Sequence, residues 1–376
     1  MELKSFSAET TNQFKDKFQQ IENQGFIAST AIIFASVNVE LDEISKFLKA
    51  HSVQVFGSSS CGEFLYDEQS QILSEEAIVC LLVKYTSPNF RLKSFEGEQK
   101  TSFLLGAEIG SWAKSTFVDP AIIIVASGLE TDGEQLVKGI QSLAGENITM
   151  FGGLAGDDAK FRDTFVFSEG RLLKNGALVM LLDKNDFDVK GIATSGWVGI
   201  GADKIITHSE GNVVYTIDDH PALDVYKEYL NVDDKDLPGI GVEYPLLIKK
   251  PGKEDVLRAV LNVDREKKSL IFAGTVPQGA TVTFSSSPGF EVVEFTRDKV
   301  TAFYEKNKHA DYLILFSCMA RHNALGPMIS EEIDQVWENW NIPLIGFFTY
   351  GEIGNNYNSM CDFYNETFTL VSIKEK

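Results

Sequence analysis

One arrangement recurs three times along this chain and limits the fold more than any single motif. In the first copy, "AIIFAS" (Ala31 to Ser36) reads as a buried strand. "VELDEISKFLKAH" (Val39 to His51) then places Leu41, Ile44, Phe47 and Leu48 on one face of a helix. "VQVF" (Val53 to Phe56) is a second strand, and "GSSSCGEF" follows it. The second copy runs "AIIIVAS" (Ala121 to Ser127), a helix over Asp132 to Gly145, "ITMF", then "GGLAGDD" (Gly152 to Asp158). The third runs "DYLILFS" (Asp311 to Ser317), a helix over Ser330 to Trp340 with Ser330 as its expected N-cap, "IPLI", then "GFFTYGEIG" (Gly346 to Gly354). A further apolar strand follows each glycine segment, at Ala77, Gly176 and Thr367. Repeats of this length are units of architecture.

The glycine segments align. Gly57, Gly62 and Glu63 of the first match Gly346, Gly351 and Glu352 of the third. The second is one residue shorter and carries Gly156 and Asp157. Two readings stay open. Glycines allow close backbone approach, and ligands of open α/β sheets sit beyond the carboxyl ends of the strands, so the loops would form a site. Alternatively they are tight turns whose carboxylates cap nearby amides.

Familiar chemistries fit poorly. The G-x-S-x-G elbow is absent around Ser58 to Cys61, and a phosphate-binding P-loop needs Lys and Ser/Thr where Glu63 and Glu352 stand. Arg321, in "FSCMARHNALG" beside Cys318, offers a planar fork for a carboxylate. With Glu352 or Glu63 for an ammonium, it would suit a zwitterion. The competing reading is an internal Arg–Glu pair. Cys318 reads as a buried filler, and Trp197, Tyr215 and Tyr226 as core or interface residues.

With 376 residues the chain exceeds the roughly 250–300 residues of one hydrophobic core, so two lobes are expected. From Asp188 to Phe284 the strands are short and punctuated by turns, with one helix begun at Pro221. The fold class expected is α/β and two-lobed, with repeated strand–helix–strand units, mixed sheets and a β-rich middle section. A net charge of −20 argues against nucleic-acid and anionic-membrane surfaces. Four cysteines without a CxxC pair, and no apolar leader, point to a cytoplasmic protein with free thiols. No metal-ligand spacing is visible among the five histidines.

The chain resembles the FIST family. The resemblance rests on "GSSSCGEF", "GGLAGDD", "THSEGNVVYTIDDHPALDVYKEYL", "YPLLI", "VLRAVLNVD", "GTVPQGATV", "SCMARHNALG" and "IPLIGFFTYGEIG", in that order. It implies an extension over residues 1–24, a FIST N-terminal-like sensory lobe over 25–219 and a C-terminal-like lobe over 220–376. It implies a non-enzymatic bacterial sensor for amino acids or related small metabolites. A separate partner, such as a histidine kinase or a cyclic-di-nucleotide enzyme, would carry the output, since no such segment follows "TFTLVSIKEK". Cys318, Arg321, Gly351 and Glu352 fall on the family's C-terminal motif. The candidate ligand-binding residues are these four with Tyr350, Glu63, Gly62, Cys61, Asp157 and Gly156. No cofactor is required by this reading. One alternative is a haem-binding nitric oxide sensor regulating a histidine kinase, with His208, His220 or His322 as the axial ligand to test. Another is a Cys-dependent hydrolase or transferase using Cys61 or Cys318.

Overall fold

A computed structural model describes residues 1–237, 239–250, 255–355 and 361–376. Each repeat proves longer than its sequence signature. The first comprises β1 (Glu2–Ala8), α1 (Thr11–Asn23), β2 (Thr30–Ala35), α2 (Leu41–Ala50), β3 (Gln54–Ser59), the hairpin β4 (Glu63–Tyr66) and β5 (Gln71–Ser74), and β6 (Ile78–Lys84). Residues 1–24, expected as an extension, thus form the opening strand and helix of this unit. The second comprises β7 (Phe90–Glu96), α3 (Ser102–Thr116), β8 (Pro120–Ala126), α4 (Gly133–Ala144), β9 (Thr149–Leu154), β10 (Val166–Ser168) and β11 (Arg171–Leu173), and β12 (Gly176–Asp183).

The third unit starts at β13 (Phe187–Thr194) and is interrupted by the β-rich section. That section contains β14 (Val198–Glu210), β15 (Val213–Ile217), β16 (His220–Pro221), α5 (Ala222–Leu230), β17 (Leu246–Ile248), β18 (Val256–Arg258), β19 (Val260–Asp264), β20 (Ser269–Phe272) and β21 (Thr281–Ser286). The unit resumes with α6 (Phe290–Lys306), β22 (Tyr312–Cys318), the short α7 (Met319–Leu325), α8 (Ile329–Trp340), β23 (Leu344–Thr349), β24 (Glu352–Gly354) and β25 (Asp362–Tyr364), and β26 (Phe368–Glu375). Met328 caps α8. Ser330, the expected cap, sits in its first turn and donates to the Pro327 carbonyl at 3.2 Å.

Each unit builds a six-stranded sheet around one parallel pair: β2–β3, β8–β9 and β22–β23. The hairpin that follows each glycine segment leaves its own sheet. β4–β5 joins β23 of the third unit, β24–β25 joins β9 of the second, and β10–β11 joins β3 of the first. The exchange closes a ring of three sheets. The β-rich section forms a separate eight-stranded sheet, and the residue-219 boundary falls inside it, between β15 and β16.

The strand composition follows from this packing. Ile32, Phe34, Ile123, Val125, Ile314 and Phe316 point to a common core where the three sheets face one another. The alternate residues face the helix pairs: Ile33 towards α1 and α2, Ile122 and Ile124 towards α3 and α4, Leu313 and Leu315 towards α6 and α8. Strands buried on both faces read as continuous apolar runs rather than alternating ones.

The glycine segments are the ring's junctions. Gly57, Gly152, Gly153 and Gly346 lie within strands, not in loops. A Cβ on Gly57 would stand 2.3 Å from the Phe167 ring, and one on Gly346 would stand 2.1 Å from Phe64. The backbone amides of these segments bond across units. Cys61 N–H donates to Phe348 O (2.9 Å), Gly156 N–H to Ser59 O (3.1 Å) and Tyr350 N–H to Leu154 O (3.1 Å). These three bonds join equivalent positions of the three loops, in the same cyclic order as the hairpins.

Candidate functional site

A cavity of about 650 Å³ lies beyond the carboxyl ends of β8, β9, β22 and β23. One wall comes from the α/β ring: residues 128–133 after β8, Cys318 to Ala320 after β22, Thr349 and Tyr350, and the turn bearing Asn365 and Glu366. The other comes from the β-rich sheet: Ala259 to Asn262 and Phe272 to Gly274. The position matches the strand-end rule for ligands of α/β sheets.

Two sequence-predicted residues line this cavity, Cys318 and Tyr350. The Tyr350 ring stacks on Phe161 at 4.8 Å, and its hydroxyl donates to Asp157. Asp157 also accepts from the backbone N–H groups of Phe161 (2.9 Å), Arg162 (2.6 Å) and Asp163 (3.0 Å). It is a cap for that loop, and it orients Tyr350.

The other predicted residues lie behind the wall. Arg321 is fully buried, and its fork is taken by Glu332, with Nε–Oε2 at 3.1 Å and Nη2 donating to Oε1. Nη1 donates to Ser195 O and Glu366 O, and Nη2 also to Thr296 Oγ1. Its guanidinium is 5.2 Å from the Trp197 ring. The partner is therefore Glu332, a helix α8 residue that the sequence reading did not weigh, rather than Glu352 or Glu63.

Glu63 accepts from Ser60 Oγ and from Ala77 N–H (3.0 Å). Glu352 accepts from Thr349 Oγ1 and from Thr367 N–H (3.2 Å). Both are fully buried, and burial pushes each carboxyl up to about 8 against these hydrogen bonds. The shift favours the neutral form at these two positions, where the sequence reading expected a negative charge. Gly62 and Gly351 accept inter-loop bonds from Phe348 N–H (2.9 Å) and Leu154 N–H (2.8 Å), and Gly156 packs against Cys61.

The thiols are unsuited to nucleophilic work. Burial pushes Cys61 up to about 12, and burial together with Glu352 and Glu366 pushes Cys318 well above its ordinary value. A catalytic cysteine needs the opposite shift. None of the three histidines of the haem reading lines the cavity. His208 stacks on Tyr215 (4.8 Å), His220 is exposed, and His322 stacks on Phe348 (4.6 Å) with Glu75 3.6 Å away. Among the described residues no group of three or more His, Cys, Asp or Glu could hold a metal ion.

Sequence reasoning missed Asn365 and Glu366. Both are buried in the cavity wall, at 2% and 0% exposure. Asn365 Oδ1 and both Glu366 carboxyl oxygens have no hydrogen-bond partner among the described residues. In the sequence, "YNETF" reads as a turn before a strand. The available signal was its position, since it immediately precedes the last strand of a unit.

The two walls are pinned together at one edge. Arg258, 1% exposed on β18, donates from Nη2 to Glu134 on α4 (3.2 Å) and from Nη1 to Phe363 O (3.1 Å). Glu134 also accepts from Thr275 N–H at 2.9 Å and from Lys138 at 2.6 Å.

A ring of α/β units with a β-rich sheet closing a strand-end cavity defines the architecture of a binding domain. The chain matches the FIST N domain over residues 29–220 and the FIST C domain over 222–355, and it belongs to the FIST family. FIST domains are small-ligand-binding signalling domains. No curated protein matches the chain. No helix among the described residues is long and apolar enough to cross a membrane.

Proposed function

We propose that this protein is a sensor that binds a small metabolite in the cavity between the α/β ring and the β-rich sheet, and that it signals through a separate partner protein. Amino acids and their derivatives are the class to screen first. Cys318 and Tyr350 touch the ligand in this reading, while Arg321, Glu352 and Glu63 fix the wall behind them. A histidine kinase or a cyclic-di-nucleotide enzyme is the partner type proposed. The observation that carries the reading is the cavity itself, whose wall includes buried polar atoms of Asn365 and Glu366 without partners among the described residues. Ligand bound between the two walls favours the closed arrangement, and a surface spanning both changes its fit to the partner.

The test is a thermal-shift screen of amino acids, amines and small carboxylates on the wild type and on Ala273→Trp, which places an indole in the cavity wall. A ligand at a hundredfold excess over its dissociation constant adds about 2.7 kcal/mol of apparent stability. The shift should appear in the wild type and be lost in the variant. A ligand that shifts both equally binds elsewhere, and the assignment of this cavity falls.

A further inference from the structure

The acidic side chains of the cavity wall face no basic one. They are Glu130, Asp132 and Glu366, and among the described residues no Lys, Arg or His lines the cavity. The two buried guanidinium groups nearby are ion-paired, Arg321 to Glu332 and Arg258 to Glu134, although the Nε of Arg258 keeps an N–H without a partner. The positive end of α4 reaches the cavity but is already answered by Asp132, whose carboxylate accepts from Gln135 N–H at 3.0 Å. Among the described residues a ligand carboxylate finds no unpaired cation in the cavity lining. Asn365 Oδ1 and the two Glu366 oxygens are buried in this wall with no partner among the described residues, and a ligand N–H that reaches them finds acceptors. Buried acceptors are normally paired, and a ligand N–H or a bound water supplies such a donor. Leu154, Phe161, Phe272 and Phe363 supply apolar wall around them.

We infer that the ligand of this cavity is a small organic cation, a protonated amine or amidine on an apolar body, whose N–H groups donate to Glu366 and Asn365 and which carries no carboxylate. The inference rests on the reading of the cavity as the ligand site and narrows the ligand class within it.

The groups around Glu366 give the inference a distinctive signature. Cys318 on β22, Glu352 on β24, Arg321 on α7 and Tyr226 on α5 act on it electrostatically. Burial first, then Glu352, push its carboxyl well above the carboxylate range, and Arg321 opposes them. This direction favours the protonated form of Glu366 in the empty cavity. When an ammonium arrives, the carboxyl O–H bond breaks, the proton leaves to solvent, and the carboxylate keeps the electron pair and accepts the ligand N–H. Where Glu366 is still protonated in the free protein, binding releases protons and affinity rises with pH; it falls again once the amine deprotonates near about 10.

Isothermal titration calorimetry of the full chain tests this with matched pairs: phenethylamine against phenylalanine, and agmatine against arginine. Each is run in phosphate and in Tris, whose different ionisation heats report proton release. The expected result is that one amine binds about tenfold or more tighter than its parent amino acid, because the parent brings a carboxylate into an acidic cavity that offers it no unpaired cation. It releases up to about one proton. Glu366→Gln and, separately, Asn365→Leu should each weaken it while retaining the wild-type circular dichroism spectrum. Amino acids binding as tightly as their amines, or amine binding without proton release, overturns the inference. If a dicarboxylate or an amino acid alone shifts the wild type and not Ala273→Trp, the cation falls and the cavity stands. If nothing in the panel binds, both fall.

Discussion

Glu63 and Glu352 make the same pair of hydrogen bonds in two different sheets. Each accepts from a hydroxyl three residues earlier, Ser60 or Thr349, and from the backbone N–H just before the last strand of its unit, Ala77 or Thr367. Each carboxyl thus ties a glycine segment to the strand that completes its unit. The corresponding residue of the second unit, Asp157, serves its own loop and Tyr350 instead. The repeated carboxylates of the sequence are therefore joints of the ring.

A pH dependence of stability follows. Burial pushes the folded-state value of each carboxyl up to about 8, against 4.5 in the unfolded chain. Between those values the unfolded state has lost a proton that the folded state keeps. The favourable contribution is complete below pH 4.5 and is lost as pH rises through about 8, at up to roughly 1.4 kcal/mol per pH unit per group. Urea unfolding from pH 5 to pH 8 should show Glu63→Gln with a shallower decline than the wild type, by about one proton. Parallel declines would show that Glu63 ionises normally in the fold.

Gly57 should tolerate no side chain. Its Cβ would enter the ring of Phe167, which belongs to β10 of another unit. Gly57→Ala is expected to cost about 1–3 kcal/mol by overpacking. Shrinking the ring with Phe167→Leu should make the double variant less unstable than the sum of the singles, by about 1 kcal/mol. Simple additivity in urea titrations would refute the contact.

The sequence disclosed the parallel strand pairs and their connecting helices because both faces of those strands are buried. Runs such as Ile122 to Val125 have no other use. It concealed the opening strand and helix of each unit for an equally physical reason. β7 ("FRLKSFE") lies at a sheet edge and is mostly solvated, so it reads as polar. α3 packs through Gly106 and Gly110 onto α4, where a Cβ would meet the Leu136 and Ile140 carbonyls at 2.2 and 2.4 Å. A helix that packs through glycines shows little apolar stripe. The hairpin exchange was invisible because pairing between distant segments leaves no local periodicity. For the candidate site, Cys318 and Tyr350 were legible from the motif. Asn365 and Glu366 were not, because a buried polar residue looks like a solvated one until its surroundings are known. Arg321 stood out as a charge after a buried strand, but Glu332 lies one helix further on and looked like an ordinary surface acid.

Arg321→Met should unfold the protein more readily rather than only weaken ligand binding. It leaves Glu332, at 0% exposure, without its guanidinium partner. Removing one member of a buried pair costs about 3–5 kcal/mol. Arg321→Lys should recover little, because a single ammonium cannot supply the fork that serves Glu332, Ser195 O, Glu366 O and Thr296 together. Arg321→Met combined with Glu332→Leu should recover most of the loss. Thermal melts decide the matter: a single Met variant that melts with the wild type would return Arg321 to the list of ligand contacts.

The Glu134–Arg258 pair is expected to govern how firmly the β-rich sheet closes on the ring. Burial works against the ionisation of Glu134, but Arg258, Lys138 and the Thr275 N–H outweigh it and hold the carboxyl below its ordinary value. Its contribution is therefore complete above the ordinary carboxylate range and is lost as pH falls through the lowered value. At neutral pH the clamp is charged and engaged. Glu134→Gln should speed amide exchange at Thr275, whose N–H it accepts, and across β18 and β20 beside the cavity. Exchange in β22, deep in the ring, should stay as in the wild type. A cavity ligand that favours the closed arrangement should slow the same amides in the wild type and do so less in the variant. Unchanged exchange in both experiments would mean that the two walls move as one body, and a signal depending on their closure would have no moving part.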